Sequence, residues 1–126
     1  MARILLVDDD PTLLVVLSDF LKSAGHEVFT APDPISFASR VKVIKPDIVI
    51  MDFQMPAGGA AAAQRTLDST PELQKLPILF CTGVPMAEVK KVFPESPLRR
   101  YVSKPVHLGA FKDKLEMLLA EALRGG

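Results

Sequence analysis

Three short runs in this chain, residues 4–7, 48–51 and 78–81, are apolar at every position. A strand with one face in water alternates apolar and polar residues, so runs of this kind must be covered on both faces. Residues 27–30 and the pair Tyr101 and Val102 supply two further strand candidates. Between the runs lie stretches with helical spacing. Asp10-Pro11 reads as a helix cap followed by proline at the first helical position, and Leu13, Leu14, Leu17, Phe20 and Leu21 then share one face up to Gly25. Asp33-Pro34 repeats that signal ahead of Ile35, Ala38, Val41 and Ile44. A loop carrying Pro56, Gly58 and Gly59 leads into an alanine-rich helix that closes near Leu67. A short helix is predicted over 86–93, ended by Pro94 and Pro97, and a last helix starts at Leu108 with Leu108, Phe111, Leu115, Leu118 and Leu119 toward the core. The alternation predicts an α/β domain: a doubly wound parallel sheet with helices on both faces.

Composition narrows the function. The 126 residues are enough for one core and too few for a two-domain enzyme, so residues 1–126 are expected to form a single domain. Fifteen Lys and Arg balance fifteen Asp and Glu, whereas a nucleic-acid binder carries a basic excess to displace phosphate counterions. The single cysteine, Cys81, excludes an internal disulfide, and no Cys/His cluster offers a zinc site, so a reducing cytoplasm is the expected compartment. The first apolar run is stopped by three aspartates after four residues, too short for the core of a signal peptide. No apolar run approaches the length of a bilayer span, and no membrane partner is expected.

Doubly wound sheets bind ligands outside the carboxyl ends of their strands. The polar residues that follow four of the five strands are Asp8 with Asp9, Asp52, Thr82 and Lys104, and the fold would gather them on one edge. Three carboxylates so placed repel one another unless a positive charge sits among them. A hard divalent cation with oxygen ligands answers that need, and Mg²⁺ suits it while keeping positions open for a phosphate oxygen. A carboxylate beside Mg²⁺ and a lysine is equipped to attack phosphorus, because both cations neutralise charge developing in the transfer. Thr82 could donate to a phosphoryl oxygen. The constellation reads as an aspartate that accepts a phosphoryl group.

Each residue also has an ordinary structural reading. Asp10 is a helix cap; Asp8, Asp9 and Asp52 could be loop acids, Thr82 a turn residue and Lys104 a surface lysine. Tyr101 fits a half-buried aromatic on an edge strand, Cys81 a small core hydrophobe, His26 a surface histidine near a helix end and His107 a loop residue.

The combination resembles the receiver domain of two-component response regulators. Leu6-Val7-Asp8-Asp9-Asp10, Asp52-Phe53-Gln54-Met55-Pro56, Thr82-Gly83 and Lys104-Pro105 lie in that family's order and at similar spacing, across essentially the whole chain. The resemblance implies a flavodoxin-like sheet of five parallel strands in the order 2-1-3-4-5, and a single-domain protein similar to chemotaxis regulators. It implies Asp52 as phosphoacceptor, Asp9 as direct metal ligand, Asp8 as a ligand acting largely through water, and the Gln54 backbone carbonyl completing a Mg²⁺ site that Mn²⁺ could also fill. Thr82 matches the switch hydroxyl, Lys104 the phosphate-pairing lysine on a cis peptide bond to Pro105, and Tyr101 an aromatic residue that changes rotamer on phosphorylation. The implied partners are a histidine kinase or histidine phosphotransfer protein and a downstream protein target.

The chain departs from the family pattern at Ala57-Gly58-Gly59-Ala60, at Pro85, Pro94 and Pro97, and at Val106 after Lys104-Pro105. The fourth helix is therefore expected to be short or irregular. Two other function classes fit less well. An aspartyl-phosphate hydrolase of the haloacid dehalogenase type needs an acid two residues after its nucleophile, where this chain has Gln54. A degenerate receiver used only for phosphorylation-independent contacts would not need Asp8, Asp9, Asp52, Thr82 and Lys104 together.

Overall fold

The apolar runs are parallel strands in the computed structural model, which describes residues 2–31, 37–52, 65, 75–83, 85, 87, 90, 91, 94 and 96–125. In chain order they are β1 (Arg3–Val7), β2 (Glu27–Ala31), β3 (Ile48–Asp52), β4 (Ile78–Thr82) and β5 (Arg99–Ser103). They form one sheet in the order β2-β1-β3-β4-β5, every pair parallel. β3 and β4 are buried at all five positions, which is why their sequences show no alternation. The sheet edges are β2 and β5, and they carry the polar residues Glu27, Thr30 and Arg99.

Successive side chains point to opposite faces of the sheet, so each strand feeds two cores. Leu5, Val7, Val49, Met51, Ile78, Phe80 and Tyr101 pack on one face with Val41 of α2 (Phe37–Ile44). Ile4, Leu6, Ile48, Ile50, Leu79, Cys81 and Val102 pack on the other, against Leu17 and Leu21 of α1 (Pro11–Ser23) and Phe111, Leu115 and Leu118 of α3 (Leu108–Gly125). Each fully buried aliphatic or phenyl side chain contributes roughly 1.5–3 kcal/mol, and the two layers together hold the strand ends in register.

α1 begins as its sequence predicts. The Asp10 carboxylate accepts hydrogen bonds from the amides of Thr12 at 3.0 Å and Leu13 at 3.3 Å, and Pro11 opens the helix. Gly25, at φ 92°, takes the left-handed position past the helix end, where a Cβ would be strained.

Some expectations need correction. Leu108 is 38% exposed, because it is the first residue of α3 and the buried stripe starts one turn later at Phe111. Leu119 is half-buried beside that stripe. Tyr101 lies on an edge strand but is only 4% exposed. The cap at Asp33-Pro34, the loop after Asp52 with Gln54, and the alanine-rich helix apart from Arg65 fall outside the described residues. Of the predicted helix over 86–93, Ala87, Lys90 and Lys91 are described and helical.

His26 is not a free surface histidine. Its Nδ1 accepts a hydrogen bond from the Ala2 amide at 3.1 Å, and it is half-buried where β1 and β2 begin. Burial, then the nearby positive chain terminus, lowers its pKa below the ordinary 6.5. A histidine shifted down stabilises the fold while neutral, so this contribution is complete above the ordinary value and is lost as pH falls through it. The Tm of the wild-type protein should therefore drop further between about pH 7.5 and pH 5.5 than that of His26→Gln. Parallel Tm profiles would show that His26 contributes nothing to this pH dependence.

Candidate functional site

The carboxyl ends of the central strands bring together residues distant in sequence. β1 and β3 run in register, with Val7 opposite Met51, so Asp8 and Asp52 leave the sheet side by side. β4 places Cys81 opposite Asp52, and Thr82 follows it. Lys104 comes from beyond β5, where its amide donates to the Thr82 carbonyl at 2.8 Å and its bond to Pro105 is cis, as expected.

The Lys104 ammonium bridges two carboxylates. Its Nζ lies 3.0 Å from Asp52 Oδ2 and 3.3 Å from Asp8 Oδ2. Asp8 is oriented at its other oxygen as well, Oδ1 accepting from the Asp10 amide at 2.9 Å. Asp8 and Asp52 are each 5% exposed, whereas Asp9 is open to solvent. Ligand oxygens of Asp8, Asp9 and Asp52 lie within 4.8 Å of one another. Such a set, made only of carboxylates, fits a hard divalent cation and offers nothing to a thiophilic one.

Electrostatics follow from this crowding. Burial raises the Asp8 pKa, and the Asp52 charge adds to that, partly offset by the Asp10 amide and by Lys104. Burial alone would lower Lys104, but its hydrogen bond to Asp52 and the attraction of both carboxylates raise it instead. The site thus holds concentrated negative charge with one ammonium inside it, and it accommodates further positive charge readily. Cys81 is adjacent in sequence but packs in the α1/α3 core, and burial with the nearby Asp8 charge pushes its thiol up to about 12. It remains a protonated core residue.

Asp8, Asp9, Asp52 and Lys104 are brought together as the sequence predicts, with Thr82 beside them and 1% exposed. The Gln54 carbonyl lies outside the described residues. Tyr101 sits one strand away, opposite Phe80, two residues short of the Thr82 level. Its ring stacks on Phe80, centroids 5.5 Å apart and planes 15° apart, and Lys90 Nζ lies 5.9 Å from its centroid. Phe80 and Lys90 were not anticipated. The alternation of β4 does put Phe80 on the face of Thr82, but pairing it with Tyr101 requires the strand register.

The family model for the response regulator receiver domain matches residues 4–116. The chain is 34% identical over 106 residues to the protein PilH of Pseudomonas aeruginosa, covering 84% of this chain and 88% of that one. The fold is similar to that of the chemotaxis protein CheY4 of Vibrio cholerae, with a TM-score of 0.82 at 25% identity, covering 94% and 98% of the two chains. It is equally similar, with a TM-score of 0.82 at 22% identity and the same coverage, to the receiver domain of a sensor histidine kinase of Pseudomonas aeruginosa, whose structure has a magnesium ion coordinated in the active site cleft.

Proposed function

This chain belongs to the response regulator receiver domain family, and from that premise we propose that Asp52 accepts a phosphoryl group from a histidine kinase or histidine phosphotransfer protein in a Mg²⁺-dependent reaction. The observation that carries this reading is the Lys104 ammonium held within 3.3 Å of both Asp52 and Asp8 at the carboxyl edge of the sheet. Asp8, Asp9 and Asp52 would hold the cation, the Gln54 carbonyl adding a further oxygen. When bound, Mg²⁺ would supply positive charge against the oxygens of the incoming phosphoryl group.

The chain's own residues do the rest. An Asp52 carboxylate oxygen attacks phosphorus while the bond from phosphorus to the donor's histidine nitrogen breaks. Lys104 neutralises charge on the transferring group, and its two carboxylate contacts set its position in advance. The Thr82 hydroxyl, at the end of the neighbouring strand, donates to a phosphoryl oxygen once the group is in place. The phosphorylated domain then signals through contacts with a downstream protein. On this reading the protein is a phosphoacceptor signalling domain and not an enzyme, with at most slow loss of its own phosphoryl group. Among the described residues no helix is long and apolar enough to cross a membrane.

Acetyl phosphate should phosphorylate the protein when Mg²⁺ is present and fail to do so when the metal is chelated. Asp9→Asn, which removes one charged and exposed ligand, should keep the fold and weaken Mg²⁺ binding by about tenfold or more. An unchanged Mg²⁺ affinity in a calorimetric titration would remove Asp9 from the metal site.

A further inference from the structure

An aromatic ring on an edge strand is expected to be partly open to solvent, yet Tyr101 is seated inside the core. It is 4% exposed, belongs to the same packed layer as Phe80, Met51 and Val7, and lies flat against the Phe80 ring. On its helical neighbour Lys90, the ammonium stands 5.9 Å from the ring centroid. Offset stacking and a cation near the ring face are both attractive arrangements for a phenol. Together they give the ring contacts that it would lose by swinging out to solvent. The two contacts come from different elements, β4 and the helical residues around Lys90, so the ring ties the edge strand to that helix.

We propose that Phe80 and Lys90 are positioning residues that seat Tyr101 inward before any phosphoryl group arrives, so that phosphorylation of Asp52 acts through Thr82 without a tyrosine rotation. This rests on Asp52 being the phosphoacceptor, but the seating itself does not. At the level of Tyr101, the surface formed by β5, the helix carrying Lys90 and α3 is then the same in both states. A partner that reads phosphorylation must contact the residues that move with Thr82, beyond the end of β4. A partner that contacts only the Tyr101 region would bind both states alike, since a ligand with equal affinity for two states shifts neither.

Tyr101 is the only tyrosine and the chain has no tryptophan, so its fluorescence reports this one ring. The test is acrylamide quenching of that emission in the full chain, without and with Mg²⁺ and beryllofluoride, a phosphoryl mimic. In the wild-type protein, quenching should be several-fold weaker than for N-acetyltyrosinamide and unchanged by beryllofluoride. Lys90→Met keeps a side chain of similar length without the charge; it should raise the quenching constant about twofold or more in the metal-free protein and make it fall on beryllofluoride addition. Lys90→Arg retains the cation and should restore wild-type behaviour, which a merely covering side chain would not distinguish from methionine. Phe80→Leu should act in the same direction as Lys90→Met. Strong quenching of the wild-type tyrosine that falls on beryllofluoride addition would overturn the proposal, as would Lys90→Met quenching identical to wild type. The Thr82 amide shift shows separately whether beryllofluoride has bound: if it never moves, the phosphoacceptor reading fails while the metal-free comparison still decides the seating.

Discussion

Lys104→Ala should take up phosphoryl groups from acetyl phosphate roughly 10²–10³-fold more slowly than the wild-type protein, the loss seen when one preorganised charge donor is removed from a transfer site. The reason is geometric. Lys104 is held by two carboxylates and its own amide is tied to Thr82, so its ammonium needs little reorganisation to meet a phosphoryl oxygen. A free lysine on the surface would have no such advantage. Its removal has a second consequence in the metal-free protein: Asp8 and Asp52 then face each other with no ammonium between them. The Asp8 pKa, already raised, should rise further, and the metal-free variant should lose stability above neutral pH relative to wild type. Added Mg²⁺ should restore part of that stability, because the cation replaces the missing charge. A labelling rate within about threefold of wild type would take Lys104 out of the transfer chemistry.

The largest stability effect is expected in the packed layer between α1 and α3. Phe111 is fully buried, packs among Leu17, Leu21 and Leu118, and meets the Phe20 ring edge-on with centroids 6.1 Å apart. It joins α3 to α1 over one face of the sheet. Phe111→Ala leaves a cavity among fully buried neighbours such as Leu21 and Leu118, and should cost about 3–5 kcal/mol. For a domain of this size that is a Tm decrease of roughly 10–20 °C. The remaining folded molecules should still be phosphorylated at the wild-type rate, since Phe111 belongs to the packed layer between α1 and α3 and not to the acidic cluster. A Tm loss below about 5 °C would mean that α3 is far more loosely packed than the described contacts imply.

What could be read in advance follows from how local each determinant is. β3 and β4 were legible because burial on both faces removes alternation, a property of the run alone. The site was legible for a related reason. In a parallel sheet the first polar residue after each strand lies at a common edge, so Asp8, Asp52 and Thr82 could be placed without coordinates. Lys104 needed only the further step of crossing from β5 to two acids. Other features depend on tertiary neighbours. The orientation of Leu108 depends on where the buried stripe of α3 starts, and the acceptor role of His26 depends on Ala2, 24 residues away across the β1–β2 junction. The burial of Tyr101 on an edge strand depends on Phe80 from β4 and on Lys90 from a helix. Edge position alone predicts exposure, and packing in the layer that holds Phe80 reverses it.

Asp52 is proposed as the residue that takes the phosphoryl group. The most direct test of this assignment is intact-mass and peptide mass spectrometry after incubation with acetyl phosphate and Mg²⁺, comparing wild type with Asp52→Asn. A single acid-stable, base-labile phosphoryl adduct is expected on the wild-type peptide containing Asp52, and none on the variant. An adduct of the same yield on Asp52→Asn, or one mapped to another residue in the wild-type protein, would contradict it.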